Sequence, residues 1–471
     1  MKIKFCGAAQ TVTGSQHLLE INGKKLLLDC GMFQGIREES FKMNRKFLFN
    51  PEELSCVVLS HAHIDHSGNL PTLSRKGFEE SVYSTAATRD LCSIMLQDSA
   101  YIQERDIEYV NRKRRRKGEP LFNPLYTMDD VRNIMSKFKS MPYRRRFFIE
   151  GFENKVAVTF HDAGHILGSA TIALDINENG KTTRLGFTGD LGRFNLPILK
   201  DPEFMGNVDY LLSESTYGGR VHEKAEVMEK QLQDVMNETI ERGGNIIVPA
   251  FSVGRTQEIV YALSKLFAKQ AVPQIPIFVD SPLSVNATDI YRIHMECFDE
   301  EASKLVSEGI HILGSDTITY IKDVAESKKL NTLKEPCMII SASGMCEAGR
   351  ILHHLKNNIT NEKNTILIIG FMAEHTLGRR LVEARHEPGT LIKIFGDKYK
   401  ANAKIRILNS FSAHADKNEL LDYYRQFDEK KLKKVFLVHG ELDQQEMLRD
   451  SLKELNICKV DIPIRGEVKE V

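Results

Sequence analysis

Short apolar runs rich in Val, Ile and Leu alternate along this chain with longer stretches of helical spacing. That alternation restricts the fold more than any other feature. Runs this short read as strands, and helices between them imply parallel crossover connections, so the expected class is α/β with helices covering the sheets. The opening is β-rich: "HLLEING" runs into "KKLLLDCG" through Asn22-Gly23, a dipeptide suited to the positive φ angles of a tight hairpin. Residues 84 to 145 change to helical spacing, broken by the basic run Arg112 to Lys117 and by Pro120 and Pro124; two helices with a basic connecting loop are expected there. From residue 226 to 269 a long amphipathic helix, the strand "GGNIIVPAF" and another helix follow. "IPIFVDSPL" and "EPCMIISASGM" add two more strand-to-helix units, so the middle block reads as an independent parallel-sheet unit.

At 471 residues the chain exceeds one ordinary core and should fold as two domains, or as one domain carrying a large insertion. The 64 Lys and Arg residues balance 64 Asp and Glu, so whole-chain charge selects no partner. The N-terminus lacks the apolar stretch of a signal peptide, and no run approaches the ~20 apolar residues of a membrane span. A cytoplasmic protein with no membrane association is the simplest expectation. Eight cysteines, at positions 6, 30, 56, 92, 297, 337, 346 and 458, form no CxxC pair and read as reduced core thiols.

The chemistry concentrates in "VVLSHAHIDHSGN", where three histidines and an aspartate fall between His61 and His66. With 15 histidines in the chain, a fixed His-x-His-x-Asp-His pattern is expected by chance in roughly one chain in a thousand. The cluster follows the apolar run "CVVLS", at the carboxyl end of an expected strand, where open α/β sheets gather ligands. The arrangement recurs. His165 in "FHDAGHILGS", Asp190 in "GFTGDLG", Glu214 in "YLLSEST", His414 in "IRILNSFSAHAD" and His439 in "VFLVHGE" each follow an apolar run. One such residue is usually a hydrogen-bonded core group, but six such clusters together point to one metal site, with room for two ions.

In that order the residues resemble the metal motifs of the metallo-β-lactamase superfamily, and Glu214, His414 and His439 resemble the extra motifs of its nucleic-acid-processing β-CASP branch. The resemblance covers essentially the whole chain. It implies an αββα sandwich with an inserted parallel-sheet domain: 1–213 and 391–471 as the two parts of the sandwich, 214–390 as the insertion. It also implies one zinc on His61, His63 and His165, a second on Asp65, His66 and His439, Asp190 bridging, and Asp29 of "LLLDCG" behind the ligands. Imidazole and carboxylate donors without cysteine suit zinc; manganese stays open.

Two metals roughly 3.5–4 Å apart activate water as hydroxide at neutral pH and polarise a phosphoryl oxygen, which suits phosphodiester hydrolysis leaving 5′-phosphate ends. The resemblance implies Asp65 at the reaction centre and His414 as general acid, oriented by Glu214. "VPAFSVGRTQEIV" and "ISASGMCEAGRILHHL" run from strand through small residues into helix, a geometry that presents N–H groups to an anion, as does "GFMAEHTLGRRL" with Arg379 and Arg380. Matching family segments line a cleft for nucleotide phosphates, so Ser252, Arg255, Ser343, Gly344 and Arg350 are carried over as phosphate contacts.

The implied enzyme is a ribonuclease of the EC 3.1 class, endonucleolytic, 5′-to-3′ exonucleolytic or both, acting on RNA, single-stranded by preference. His439 matches the RNA-processing branch. A small-molecule thioesterase or lactonase leaves the middle block and the late motifs without a role, and a non-catalytic RNA-binding scaffold would lack ligands that are all present here. The sequence departs from the family pattern at His375, where a small residue is common, and carries no appended RNA-binding domain after "LVHGE", so RNA contacts are expected from the core or a partner. The basic runs 112–117 and "YRRRF" (143–147) are candidates for them. A homodimer stays open.

Overall fold

The computed structural model describes residues 1–471 except 36, 224–226, 315–316, 371, 373–374 and 458; the side chains of 37 and 409 are also left aside. Cys458, expected as a core thiol, lies outside the described residues. The other seven cysteines are buried, and burial pushes the Cys6 and Cys92 thiols up to about 12, the state of inert core groups.

The chain divides into two compact units, one of 1–194, 201–221 and 414–471, the other of 195–200 and 222–413. In the first, two seven-stranded sheets share one core. The first sheet runs in the order Val468–Glu470, Lys2–Phe5, His17–Ile21, Lys24–Leu28, Leu54–Val58, Ser81–Ser84, Phe138–Ser140; the second runs Val460–Asp461, Lys434–Leu437, Tyr210–Ser213, Lys181–Phe187, Ala170–Glu178, Val156–Asp162, Phe147–Phe148. Alternate residues face inward, as the two-residue period of a strand requires: Ile3, Phe5, Leu26, Leu28 and Val58 meet Val158, Phe160, Ile172, Leu174 and Phe436. Each such fully buried side chain contributes roughly 1.5–3 kcal/mol. On the outer face of the second sheet, Leu211, Val435 and Leu437 pack with Leu420, Tyr424, Leu448 and Leu452 of the helices Lys417–Tyr424 and Leu442–Glu454. The expected hairpin is present, with Asn22 at φ 50° and Gly23 at φ 75°.

Residues 84–145 differ from expectation. The basic run does not sit in a loop: a single helix, Ala86–Arg116, carries it through its last turn, and the chain leaves at Lys117 and Gly118. Arg and Lys are good helix formers and are favoured at the negative end of the helix dipole, so a run of them prolongs a helix. The second helix, Met128–Met135, starts at Thr127 with a capping box closed by Asp130.

The second unit holds a six-stranded sheet, all parallel, in the order Ile318–Tyr320, Ile277–Val279, Met338–Ser341, Ile246–Pro249, Thr365–Ile368, Lys404–Ile407. Its strands are apolar on both faces because both are covered. Ile246, Val248 and Ile340 face the helices Met228–Glu241 and Arg255–Ala268, while Ile247, Ile339 and Ile366 face Ile351–Asn358 and Leu377–Ala384. The expected division at 390/391 falls inside this unit, since Lys404–Ile407 completes its sheet beside Thr365–Ile368.

Candidate metal centre

The first unit delivers its polar residues where strands end. His61 follows Leu54–Val58, His165 follows Val156–Asp162, Asp190 follows Lys181–Phe187, Glu214 follows Tyr210–Ser213, and His439 follows Lys434–Leu437. His414 arrives differently. The strand before it belongs to the sheet of the second unit and ends at Ile407, and His414 is instead pinned by an isolated bridge to Gly192. A Cβ on Gly192 would lie 1.9 Å from the Gly164 carbonyl oxygen, beside His165. Only glycine permits that approach.

Two groups of donors result. In the first, His63 Nδ1 lies 3.2 Å from His61 Nε2 and 3.1 Å from His165 Nε2, and Asp190 Oδ2 lies 3.4 Å and 3.6 Å from the same two Nε2 atoms. In the second, His66 Nε2 and His439 Nε2 are 3.2 Å apart, Asp190 Oδ1 is 3.2 Å from His66 Nε2, and Asp65 Oδ2 is 3.6 Å from His439 Nε2. Asp190 thus offers one oxygen to each group. A third group, Asp190 with Glu214 and His414, adjoins them.

These contacts are not a satisfied hydrogen-bond network. His63 Nδ1 is one ring nitrogen facing two others, and among the described residues the buried Asp190 Oδ1 has no hydrogen bond. Burial holds the His63 imidazole down to about 4 and His61 well below its usual value, the neutral form that binds metals. For Asp190 burial acts upward, but His439, His66 and His61 outweigh it and hold the carboxyl well below its usual range. His61 and His63, held neutral by burial, face an ionised, under-bonded carboxylate, while at His66 Asp190 and Asp29 outweigh burial and raise the pKa well above its usual value; the N/O donor set fits zinc.

Asp29 supports the second group. Its Oδ2 accepts from His66 Nδ1 at 2.6 Å, while Ser60 donates to it twice, N–H to Oδ1 at 2.8 Å and hydroxyl to Oδ2 at 2.9 Å. Gly31 gives the chain room to pass: a Cβ there would sit 1.6 Å from the Asp65 carbonyl oxygen. Sequence reasoning missed two contributors. Ser60 holds Asp29, and Thr216 Oγ1 lies 3.2 Å from His439 Nδ1. Both are next to or within quoted motifs, "LSHAH" and "SEST", and that adjacency was the available signal.

Glu214 is fully buried, takes the Leu191 N–H, and lies 3.2 Å from His414 Nδ1. Burial alone would lower the His414 pKa; Glu214 and Asp190 outweigh it and raise it to about 9. In the second unit, Ser252, Ser343 and Gly344 do lie beyond strand carboxyl ends: Ser252 Oγ is 3.4 Å from Ser281 Oγ, and Gly344 packs on the Phe251 ring. The two arginines are engaged. Arg255 pairs with Glu258, with Nη2 left buried and unpartnered. Arg350 donates to Asp280 Oδ1 at 2.6 Å and to the Lys322 carbonyl at 2.6 Å. His375 is exposed, at φ 68°.

Two sheets delivering histidine and aspartate donors to paired positions define a metallo-hydrolase architecture, and comparison with known proteins agrees. Residues 18–180 match the metallo-beta-lactamase superfamily domain, 256–381 the Beta-Casp domain, and 398–463 the Zn-dependent metallo-hydrolase RNA specificity domain. Ribonuclease TTHA0252 of Thermus thermophilus is 32% identical over 94% of this chain and 93% of its own length. An RNase J-like protein of Methanocaldococcus jannaschii is 30% identical over 99% of both chains, and the transcription termination factor FttA of the same organism is 29% identical over 98% of this chain and 70% of its own. A crystal structure of a protein of unknown function from Enterococcus faecalis V583 shares the fold, with a TM-score of 0.53 at 12% identity over 99% of each chain. The chain belongs to the β-CASP family of the metallo-β-lactamase superfamily. Among the described residues no helix is long and apolar enough to cross a membrane.

Proposed function

We propose that this protein is a zinc-dependent ribonuclease that hydrolyses RNA phosphodiester bonds and leaves 5′-phosphate ends. The observation that carries the reading is Asp190, one carboxylate with an oxygen on each of two donor groups and Oδ1 otherwise unbonded. His61, His63, His165 and Asp190 would hold one ion; Asp65, His66, His439 and Asp190 would hold the other. Ions held there supply Lewis-acid activation of water and of a phosphoryl oxygen. The rest falls to the side chains. Asp65 adds negative charge at the second group and fixes His439. His414 spends Nδ1 on Glu214, which leaves Nε2 to protonate the departing ribose oxygen. Glu214 keeps that ring oriented and charged.

Names of relatives support RNA as substrate: two are ribonucleases by name, and a domain model is described by RNA specificity. Phosphate contacts are assigned to Ser252, Ser343 and Gly344 of the second unit, with Arg255 Nη2 as an unspent donor and Arg350 braced against Asp280. Incubation with 5′-labelled and internally labelled RNA, with and without chelator, tests the reading. Chelator-sensitive cleavage to 5′-phosphate products is expected; hydrolysis of thioesters with both RNA and DNA left intact would overturn it.

A further inference from the structure

The helix Ala86–Arg116 does more than cover a sheet. Its first half is buried through Ala87, Leu91, Met95 and Ala100, but from Tyr101 onward one face is bare. Positions 101, 105, 109, 112 and 116 lie along one side at helical spacing, with 102 and 113 beside them. Tyr101 is 54% exposed, Tyr109 57% and Ile102 46%. A soluble helix ordinarily buries its aromatic residues and shows water its charges. Here the aromatics are on the water side with the charges. Arg105 lies over the Tyr101 ring at 5.4 Å and Lys113 over the Tyr109 ring at 4.4 Å. Arg105 and Arg112 share Glu108, each at 3.7 Å.

The basic run is not uniform. Arg114 faces the other way: it pairs with Glu119 at 2.9 Å, donates to the Pro120 carbonyl and covers the Phe122 ring at 4.2 Å. It fastens the returning loop. Arg105, Arg112, Lys113 and Arg116 are exposed cations alongside Tyr101 and Tyr109. Between 101 and 117 the chain carries seven basic residues against three acidic ones, in a protein of zero net charge.

We infer that this exposed stripe binds single-stranded RNA, with Tyr101 and Tyr109 as stacking platforms for bases and Arg105, Arg112, Lys113 and Arg116 as phosphate contacts. Interleaved aromatic and cationic side chains match a strand that alternates base faces with charges. The helix is fixed to the metal centre at its start: Thr85 and Thr88 both donate to the Gly168 carbonyl, at 2.7 Å and 2.8 Å, in the loop that carries His165. Thirteen residues separate Thr88 from Tyr101, so at 1.5 Å per residue the stripe begins ~20 Å along the axis from that loop. The stripe would therefore contact RNA several nucleotides from the bond being cut. It sets length preference rather than chemistry.

The inference rests on the ribonuclease reading, and the test separates the two. Binding of a fluorescein-labelled oligo(A) of about 30 nucleotides is measured by anisotropy across salt for the full chain, for Tyr101→Ala/Tyr109→Ala, and for Arg105→Gln/Arg112→Gln/Arg116→Gln. Hydrolysis of bis(p-nitrophenyl) phosphate, too short to reach the stripe, is followed in parallel, and circular dichroism checks folding. The tyrosine pair should weaken binding at least tenfold with an unchanged salt slope, since two bases lose their stacking platforms and no phosphate loses its cation. The arginine set should lower the slope by about 2, at ~0.7 per phosphate contact. Both should hydrolyse the small diester like the parent. Parent-like RNA binding by both folded variants overturns the inference and leaves the ribonuclease reading standing. Variants that alter oligomeric mass by light scattering, with RNA affinity unchanged, overturn it in favour of a contact between copies. Failure of the parent to hydrolyse the diester or RNA under zinc counts against the ribonuclease reading instead.

Discussion

The carboxyl ends of the strands in the two units look alike in sequence and differ in what their polar groups touch. In the first unit the strand ends leave donors facing one another: His63 Nδ1 opposes two other ring nitrogens, and Asp190 Oδ1 has no hydrogen bond. In the second unit the corresponding groups are largely closed among themselves. Asp280, fully buried, accepts from Arg350 Nη1, Ser327 Oγ and His354 Nε2, each at 2.6 Å. An array that is incomplete without a cation is built to bind one; an array that satisfies itself is built to hold shape. Arg350 is part of that closed array through its 2.6 Å hydrogen bond to Asp280 Oδ1.

The sharpest way to break the comparison is at Asp190. Asp190→Ala should strip metal from both donor groups and reduce cleavage more than any other single change, whereas His63→Ala should lose about half the bound metal first. Elemental analysis of purified protein with RNA cleavage rates reads both. Equal metal loss in the two variants would mean the groups do not share Asp190.

Next comes the proton donor. His414→Ala should lower kcat by ~10²–10⁴-fold with metal content unchanged; a matching fall in zinc would make His414 a ligand of the third donor group. Glu214→Gln separates orientation from charge. Because Glu214 raises the His414 pKa toward about 9, the protonated acid persists through neutral pH and is lost as pH rises past that value. Without the carboxylate the alkaline limb of the kcat profile should move to lower pH. A limb that stays put would mean another group donates.

A smaller effect is expected behind the ligands. Asp29→Asn keeps the shape but weakens the hold on His66 Nδ1 and on Ser60, and should cost ~10–100-fold in metal affinity. The loss should fall on the second group, measured by chelator competition.

Most of the candidate centre was legible in the sequence because its donors cluster by type: His61, His63, Asp65 and His66 fall within six positions, and apolar runs marked the strands that precede most of the donors. Residue type fails where the partner decides. Nothing in "GRILHHL" says that Arg350 reaches back to Asp280, seventy residues earlier. The basic run was misplaced for a related reason: charge reads as loop, yet Arg and Lys extend a helix, and its exposed tyrosines were invisible until the helix had a face. His414 was found by motif although the strand before it belongs to the other unit's sheet.

Arg350→Ala tests the self-satisfied side of the comparison. Removing the guanidinium leaves buried Asp280 short of a charge-assisted hydrogen bond, worth about 2 kcal/mol, so thermal unfolding should shift down while metal content and kcat hold. A rise in KM for RNA at unchanged melting temperature would return Arg350 to the phosphate.

The smallest effect should come from the second basic run, and it completes the contrast with the first. Arg144 makes a two-contact bridge to Glu203 at 3.0 Å and 2.8 Å, and Arg146 pairs with Asp175 at 3.1 Å while covering Phe148 at 4.8 Å. Both are held closer to the protein's own carboxylates than Arg105 and Arg112 are to Glu108, at 2.8 Å and 3.1 Å against 3.7 Å. Both arginines are exposed, with side-chain exposures of 61% and 52%, and exposed pairs contribute only ~0–1 kcal/mol. Arg144→Gln/Arg146→Gln should therefore leave stability, RNA affinity and its salt slope nearly unchanged. Anisotropy alongside the Arg105, Arg112 and Arg116 variants decides: a slope reduced as much as theirs would show that pairing with a carboxylate does not withhold an arginine from RNA, and residue count alone would then predict the contacts.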